Sequence, residues 1–366
     1  MKKAVLFLRK YLSVFFLVSL ALLAVCYILL GIASSGTAAA DALNGSICHV
    51  IRRVSAGVTS LFPFSFGEWV LYLVPTIILF LILVCFLRCP THASRIRLLS
   101  GIVAVILCIC SLHILTLGIA YRTTTLDKKL SLSREKVTEQ DLRHTLDILT
   151  KETTSLLDFV TFDENGSSVM PYSLDEMSRK IVAAYDNFAE ETGIVKNFDS
   201  RVKGITASEF MSYAHLLGVY SFYTGESNLN VDYPDYNFPY TTAHEFAHQR
   251  GYIREEEANF LAFLVCLRSD DVYIRYSAYS NLLVYVMNAY YTAAGTDKYT
   301  EYYRTLDRRI VGEYRAESLH SRKYAGTAFG QASQNFNDAY LKFNGTEGAV
   351  SYGFVVDLAV AYYKER

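Results

Sequence analysis

The chain has 366 residues, a formal net charge of −1 and an apolar fraction of 52%, long enough for two or three structural units. Near-neutral charge without a long basic run excludes a nucleic-acid partner gripped through its phosphates. Of the seven cysteines, all but Cys266 lie in or beside the apolar first third, so they form neither a disulfide framework nor a cysteine metal site.

The first third predicts three membrane spans. Val14 to Ala33 is "VFFLVSLALLAVCYILLGIA", long enough to cross a bilayer core without a charge. Further spans are expected at about 69–87 and 101–121, as helices, because lipid offers backbone groups no other partner. Pro75 allows a kink in the second. His113 in the third reads as a histidine packed against neighbouring helices rather than an intramembrane functional group. Lys2, Lys3, Arg9 and Lys10 precede the first span, and Arg88, Arg95 and Arg97 fill the loop between the second and third. Both places read as cytoplasmic, although Arg52 and Arg53 in the intervening loop weaken the contrast. "GTAAADA" resembles a cleavage site, but the apolar run before it is longer than a usual signal peptide's, so the span is expected to be retained. Residues 1–121 are thus a membrane region and 122–366 an extracytoplasmic domain at the cell membrane.

From Arg122 the composition is ordinary. An amphipathic helix is expected around Leu142, Leu146, Leu149 and Leu156. "SFYTGESNLNVDYPDYNFPY" suggests irregular or short extended structure. Ala258 to Leu267 and about Tyr276 to Tyr291 read as apolar helices. The fold class is mostly α with at most a small sheet.

The chemistry concentrates in "TTAHEFAHQRGYIREEEANFLAFLVC". His244, Glu245 and His248 form H-E-x-x-H, which on a helix turns both imidazoles to one side. Two neutral imidazoles and one further protein ligand leave zinc a fourth position for water, and Glu245 stands where it can take that water's proton. A blander reading makes Thr242 and Glu245 a capping box and the histidines surface residues. Gly251 favours the metal, because a left-handed residue there ends the helix and turns the chain back. Three acids then open an apolar, buried helix and require partners. Glu255 is the preferred third ligand, with Glu257 the runner-up and Glu256 behind it. Asn259, four residues after Glu255, could accept a hydrogen bond from a ligand imidazole. A third histidine is not available, since Arg254 occupies its place and cannot ligate.

These residues also resemble a known family. "AHEFAHQRGYIREEEANF", with "TGESNLN", "FPFSFGE", "RYS", "YLK" and "SYG" elsewhere, is similar to a family of bacterial three-span membrane proteins of unknown function with a zincin-like domain. The resemblance implies a membrane-anchored zinc (Zn2+) metallopeptidase acting on a peptide or protein at the outer membrane surface, and it supplies no substrate. Glu226, Asn228 and Asn230 stand where zincins commonly run an edge strand against extended substrate, though a turn packed on the helix explains them equally. Tyr352 is a candidate oxyanion donor, with packing the commoner role for a tyrosine. His215 and His320 are assigned to structure or surface. The alternative from another class is a membrane-anchored binding or sensing protein with a structural zinc, its fourth position closed by Glu257.

Overall fold

A computed structural model describes residues 10–348 and 353–364. Helix α1, Val14–Ala33, is capped by the Ser13 hydroxyl, which accepts the Phe16 N–H. Two short helices follow, α2 at Thr37–Leu43 and α3 at His49–Ser60, joined by a π turn at Asn44–Cys48. Helix α4, Phe66–Arg88, contains Pro75. Helix α5, His92–His113, runs on through a π turn and a 3-10 turn to Arg122. α1, α4 and the stretch 92–122 are each long and apolar enough to cross a membrane. α5 starts nine residues before the expected boundary, because a Thr91–Ser94 capping box starts it among the polar residues of the loop. The α1 and α4 windows are almost wholly unburied by protein, as lipid-facing helices are, whereas nearly half of the third lies inside the molecule.

The remaining described chain supplies α6 (Glu139–Leu156), α7 (Leu174–Thr192), a three-stranded sheet, then α8 (Asn237–Gln249), α9 (Glu255–Cys266), α10 (Val272–Tyr303), α11 (Arg308–Lys323), α12 (Ala328–Phe343) and α13 (Val355–Lys364). Leu142, Leu146 and Leu149 of α6 are buried on one face, as their spacing predicts, and α6 packs on α10. α10 is broken at Gly295, whose φ of 83° is not helical. α9 is apolar nearly all round because it is covered all round, by α7, α8, α10 and α13.

The strands are β1 (Val202–Gly204), β2 (Gly218–Ser221) and β3 (Glu226–Leu229), in the order β1-β3-β2. β1 lies parallel to β3 and β2 antiparallel, with Gly204 and Gly218 both opposite Leu229. The strand bearing Glu226 and Asn228 is therefore the central one, not an edge strand. Its burial has another purpose. The Glu226 carboxylate accepts the Phe66 and Gly67 N–H groups at 2.9 and 2.8 Å, capping α4, and also pairs with Lys203. In return Glu68 accepts the Thr206 and Ala207 N–H groups at 3.0 and 2.8 Å. Two carboxylates thus exchange backbone donors between the sheet side and the first turn of α4, satisfying orphan amides at both places. Asn230, just past β3, bonds to Ser212 and to the Leu216 carbonyl, a structural role.

Candidate metal centre

Helix α8 begins at Asn237, five residues before Thr242, with Pro239 in its first turn where a missing N–H is harmless. Thr242 is therefore interior, its hydroxyl without a hydrogen-bond partner, and the capping-box reading fails. His244 and His248 stand one above the other with ring centroids 4.5 Å apart. The helix ends in a Schellman motif: Gly251 at φ 93°, its N–H on the His248 carbonyl and the Tyr252 N–H on the Ala247 carbonyl. Only glycine fits, because a Cβ at 251 would lie 2.5 Å from the buried Arg52 guanidinium and 2.8 Å from Asn44 Oδ1.

That turn delivers Glu255, the first residue of α9, back to the histidines. Its Oε2 lies 3.2 Å from His244 Nε2 and 3.6 Å from His248 Nε2. Among the described residues, these three form the cluster whose ligand atoms all lie within 4.8 Å of one another. Two ligands held about 2.0–2.1 Å from a tetrahedral ion sit about 3.3 Å apart, so the spacing fits a divalent cation. The tautomer fits as well. His248 Nδ1 is 2.8 Å from the Tyr252 carbonyl, which can only accept, so Nδ1 carries the proton and Nε2 faces the cluster.

The other acids are committed elsewhere. Glu257 accepts the Leu126 N–H at 3.2 Å and pairs with Arg254 at 3.0 Å. Arg254 also donates to the Tyr121 carbonyl at the end of the α5 extension. Glu256 is buried apart from the cluster, one carboxylate oxygen unpartnered. Asn259 does not hold an imidazole: the Tyr252 carbonyl orients His248, and His244 Nδ1 has no partner. Asn259 is bonded instead to Tyr285.

Glu245 points from the same helix toward β2. Its carboxylate accepts the Tyr220 N–H and packs so close to Gly218 that a Cβ there would meet Oε1 at 2.5 Å. Its second oxygen is buried without a partner. Burial raises its pKa, against the pull of His244 and His248. Burial would by itself lower that of the His248 imidazole, but the Glu255 and Glu245 carboxylates raise it to about 9, while the two histidines pull Glu255 below its ordinary range despite burial.

The cluster opens into a cavity of about 290 Å³, near the lower end for ligand sites. Its walls are Gly218 to Tyr220 of β2, Asn281 and Tyr285 of α10, Asn337 and Tyr340 of α12, and Leu117 and Tyr121 of the α5 extension. His215, assigned to structure or surface, also lines it, with a left-handed φ of 58°. His320 bonds instead to Asp232 and Ser212. His113 packs against Phe222 and against Tyr340 of α12, a neighbouring helix. Tyr352 lies outside the described residues, as do Lys2, Lys3 and Arg9.

The model of a family described as a protein of unknown function, DUF3810, matches residues 44–360. The chain belongs to that family. The DUF3810 match takes in the second and third apolar helices together with the whole metal-cluster region. No curated protein and no solved structure matches the chain.

Proposed function

We propose that this DUF3810 protein is a membrane-anchored, zincin-like zinc peptidase whose domain lies on the outer face of the cell membrane. The observation that carries the reading is the meeting of His244, His248 and Glu255 at ligand spacing, with the partly unpartnered Glu245 carboxylate beside them. Those three would hold Zn2+, which supplies a bound water of lowered pKa. Glu245, its proton affinity raised by burial, accepts the proton as water attacks the peptide carbonyl and passes it to the departing amine. The cavity wall formed by β2 pairs with β3 on one side only among the described strands, so its other edge can receive an extended peptide through backbone hydrogen bonds. A closed structural site would need a fourth protein ligand, and its best candidate, Glu257, is held by Arg254 and the Leu126 N–H. The orientation follows from the basic residues at the opposite ends of the spans.

Metal analysis and peptide hydrolysis on the full chain test this together. Glu245→Gln is expected to keep stoichiometric zinc and lose about 10²–10⁴-fold in hydrolysis, while Glu255→Ala loses both. Full zinc retention in Glu255→Ala would refute the ligand set.

A further inference from the structure

Helix α12 carries a feature that neither the metal cluster nor the core explains. Phe329, Ala332, Phe336, Ala339 and Phe343 recur at helical spacing along one face, and all five are exposed. Phe336 is 75% exposed and Phe343 85%, the highest value for any large apolar side chain among the described residues. Gln334 lies diametrically opposite the stripe, with Gln331, Asn335 and Lys342 beside it. The face flanking the stripe on its other side is occupied: Gly330 presses on the Tyr213 carbonyl, Ser333 bonds to Ala214, and Asn337 and Tyr340 line the cavity. An apolar stripe this regular is expected to be covered.

Both ends of α12 are tied to the domain-side ends of membrane helices. At its start Phe329 stacks on Phe210, ring centroids 4.6 Å apart, three residues past Ala207, whose N–H bonds Glu68 in the first turn of α4. Trp69, half exposed, follows Glu68 and suits a membrane interface. Near its other end the Tyr340 hydroxyl lies 3.4 Å from His113 Nε2 on α5. From Arg97 to His113 is about 24 Å at about 1.5 Å per residue, short of a bilayer core of about 30 Å. With Arg97 at the cytoplasmic edge, the Tyr340 contact therefore falls within about 6 Å of the outer edge of the hydrocarbon. A helix strung between two such points runs along the membrane rather than away from it.

The geometry points to α12 as an interfacial helix, its Phe329–Phe343 stripe seated among lipid acyl chains and its Asn337–Tyr340 face forming the membrane-side wall of the metal-site cavity. The occupant of the stripe is the bilayer itself, continuous with the lipid around α4 and α5. Resting on the hydrolytic reading above, the substrate class follows: a peptide segment lying at, or tethered to, the membrane surface.

Reconstitution of the full chain in phosphatidylcholine–phosphatidylglycerol vesicles tests the placement. Because Trp69 is the single tryptophan, Phe336→Trp and Phe343→Trp probes, each in a Trp69→Phe background, can be read against acyl-chain-brominated lipids. Each is expected to be quenched at least twofold more than a Gln334→Trp probe on the opposite strip. Equal or absent quenching would overturn the proposal. So would a vesicle-independent dimer that the combined Phe329→Ser, Phe336→Ser and Phe343→Ser changes dissociate, because the stripe would then be a seam between copies. If the Trp69→Phe background does not fold, the probes are read in the parent chain as quenching beyond that of Trp69. The same triple change is expected to lower cleavage of an acyl-tethered peptide relative to its free form about tenfold. An unchanged ratio would sink the substrate assignment. A wild-type chain that cleaves neither peptide refutes the hydrolytic reading alone, and lipid quenching still decides where the helix lies.

Discussion

Replacing Glu226 by glutamine tests how the sheet is joined to α4. Glu226 and Lys203 are each no more than 2% exposed, and the carboxylate holds two backbone N–H donors besides the ammonium. Burial lowers the Lys203 amine below its ordinary value even with Glu226 beside it, so its charge depends on that partner. In Glu226→Gln the amide oxygen can keep the Phe66 N–H and the ammonium at one position, while the NH₂ at the other must face the Gly67 N–H, donor against donor. Hydrogen bonds to charged groups contribute about 1.5–3 kcal/mol each, and breaking a buried ion pair from one side costs about 3–5 kcal/mol. A loss of about 3–5 kcal/mol is therefore expected at the joint between β3 and α4. Urea-dependent proteolysis of the full chain in detergent, read at the segment between α3 and α4, measures the opening of that joint. The companion Glu226→Gln/Lys203→Met variant removes both charges and should lose less than the sum of the single losses. A cost below about 1 kcal/mol for Glu226→Gln, or strict additivity in the pair, would refute the reasoning.

Two further outcomes follow from other contacts. Gly218→Ala places a methyl 2.5 Å from Glu245 Oε1 and 2.8 Å from its Cγ, so the carboxylate must shift while the three ligand side chains stay in place; hydrolysis should fall about 10²-fold at unchanged metal content. Glu313 is fully buried against Ser167, Ser168 and Tyr276, and burial raises its pKa above the ordinary 4.5. Between 4.5 and that raised value the folded chain keeps a proton the unfolded chain has released, so this carboxyl's contribution to stability falls as pH rises through the window. Relative to wild type, Glu313→Gln should therefore gain stability between pH 5 and pH 8 in urea melts; a difference independent of pH would contradict the assignment.

The parts of the site legible in the sequence are those set by local geometry. H-E-x-x-H works through the i, i+4 stacking of a helix, and Gly251 through a conformation that one residue type adopts without strain. The sequence favours Glu255 over Glu257, but what occupies Glu257 was not legible there, because it is Arg254 and the Leu126 N–H, the latter 131 residues earlier in the chain. Nor was the edge strand. β2 and β3 form a hairpin in which either strand could be outermost, and only the parallel pairing of Val202 with Ser227 makes β3 central. The start of α8 has a local signal: Pro239 is at home in a first turn, where its missing N–H is harmless. Tyr340 was visible only as part of "YLK", with nothing to say that it reaches the third span.

The division at residue 122 also needs a different physical reading. Composition changes there, and the chain after it looks like a linker leading to a separate domain. Yet the metal-site turn rests on Arg52, whose guanidinium is wholly buried and bonds to Asn44 and to the Thr116 carbonyl. α9 is held at its start by Arg254 on the Tyr121 carbonyl. The sheet is fastened to α4 by Glu226 and Glu68. A chain cut at 122 would keep the Arg254–Glu257 and Glu226–Lys203 pairs but strip Arg254 of the Tyr121 carbonyl and Glu226 of the Phe66 and Gly67 N–H groups, and hydrogen bonds to charged groups contribute about 1.5–3 kcal/mol each. It would also remove Leu117 and Tyr121 from the cavity wall. The apolar helices are thus the floor on which the cluster is assembled, and the family match runs unbroken across the compositional boundary.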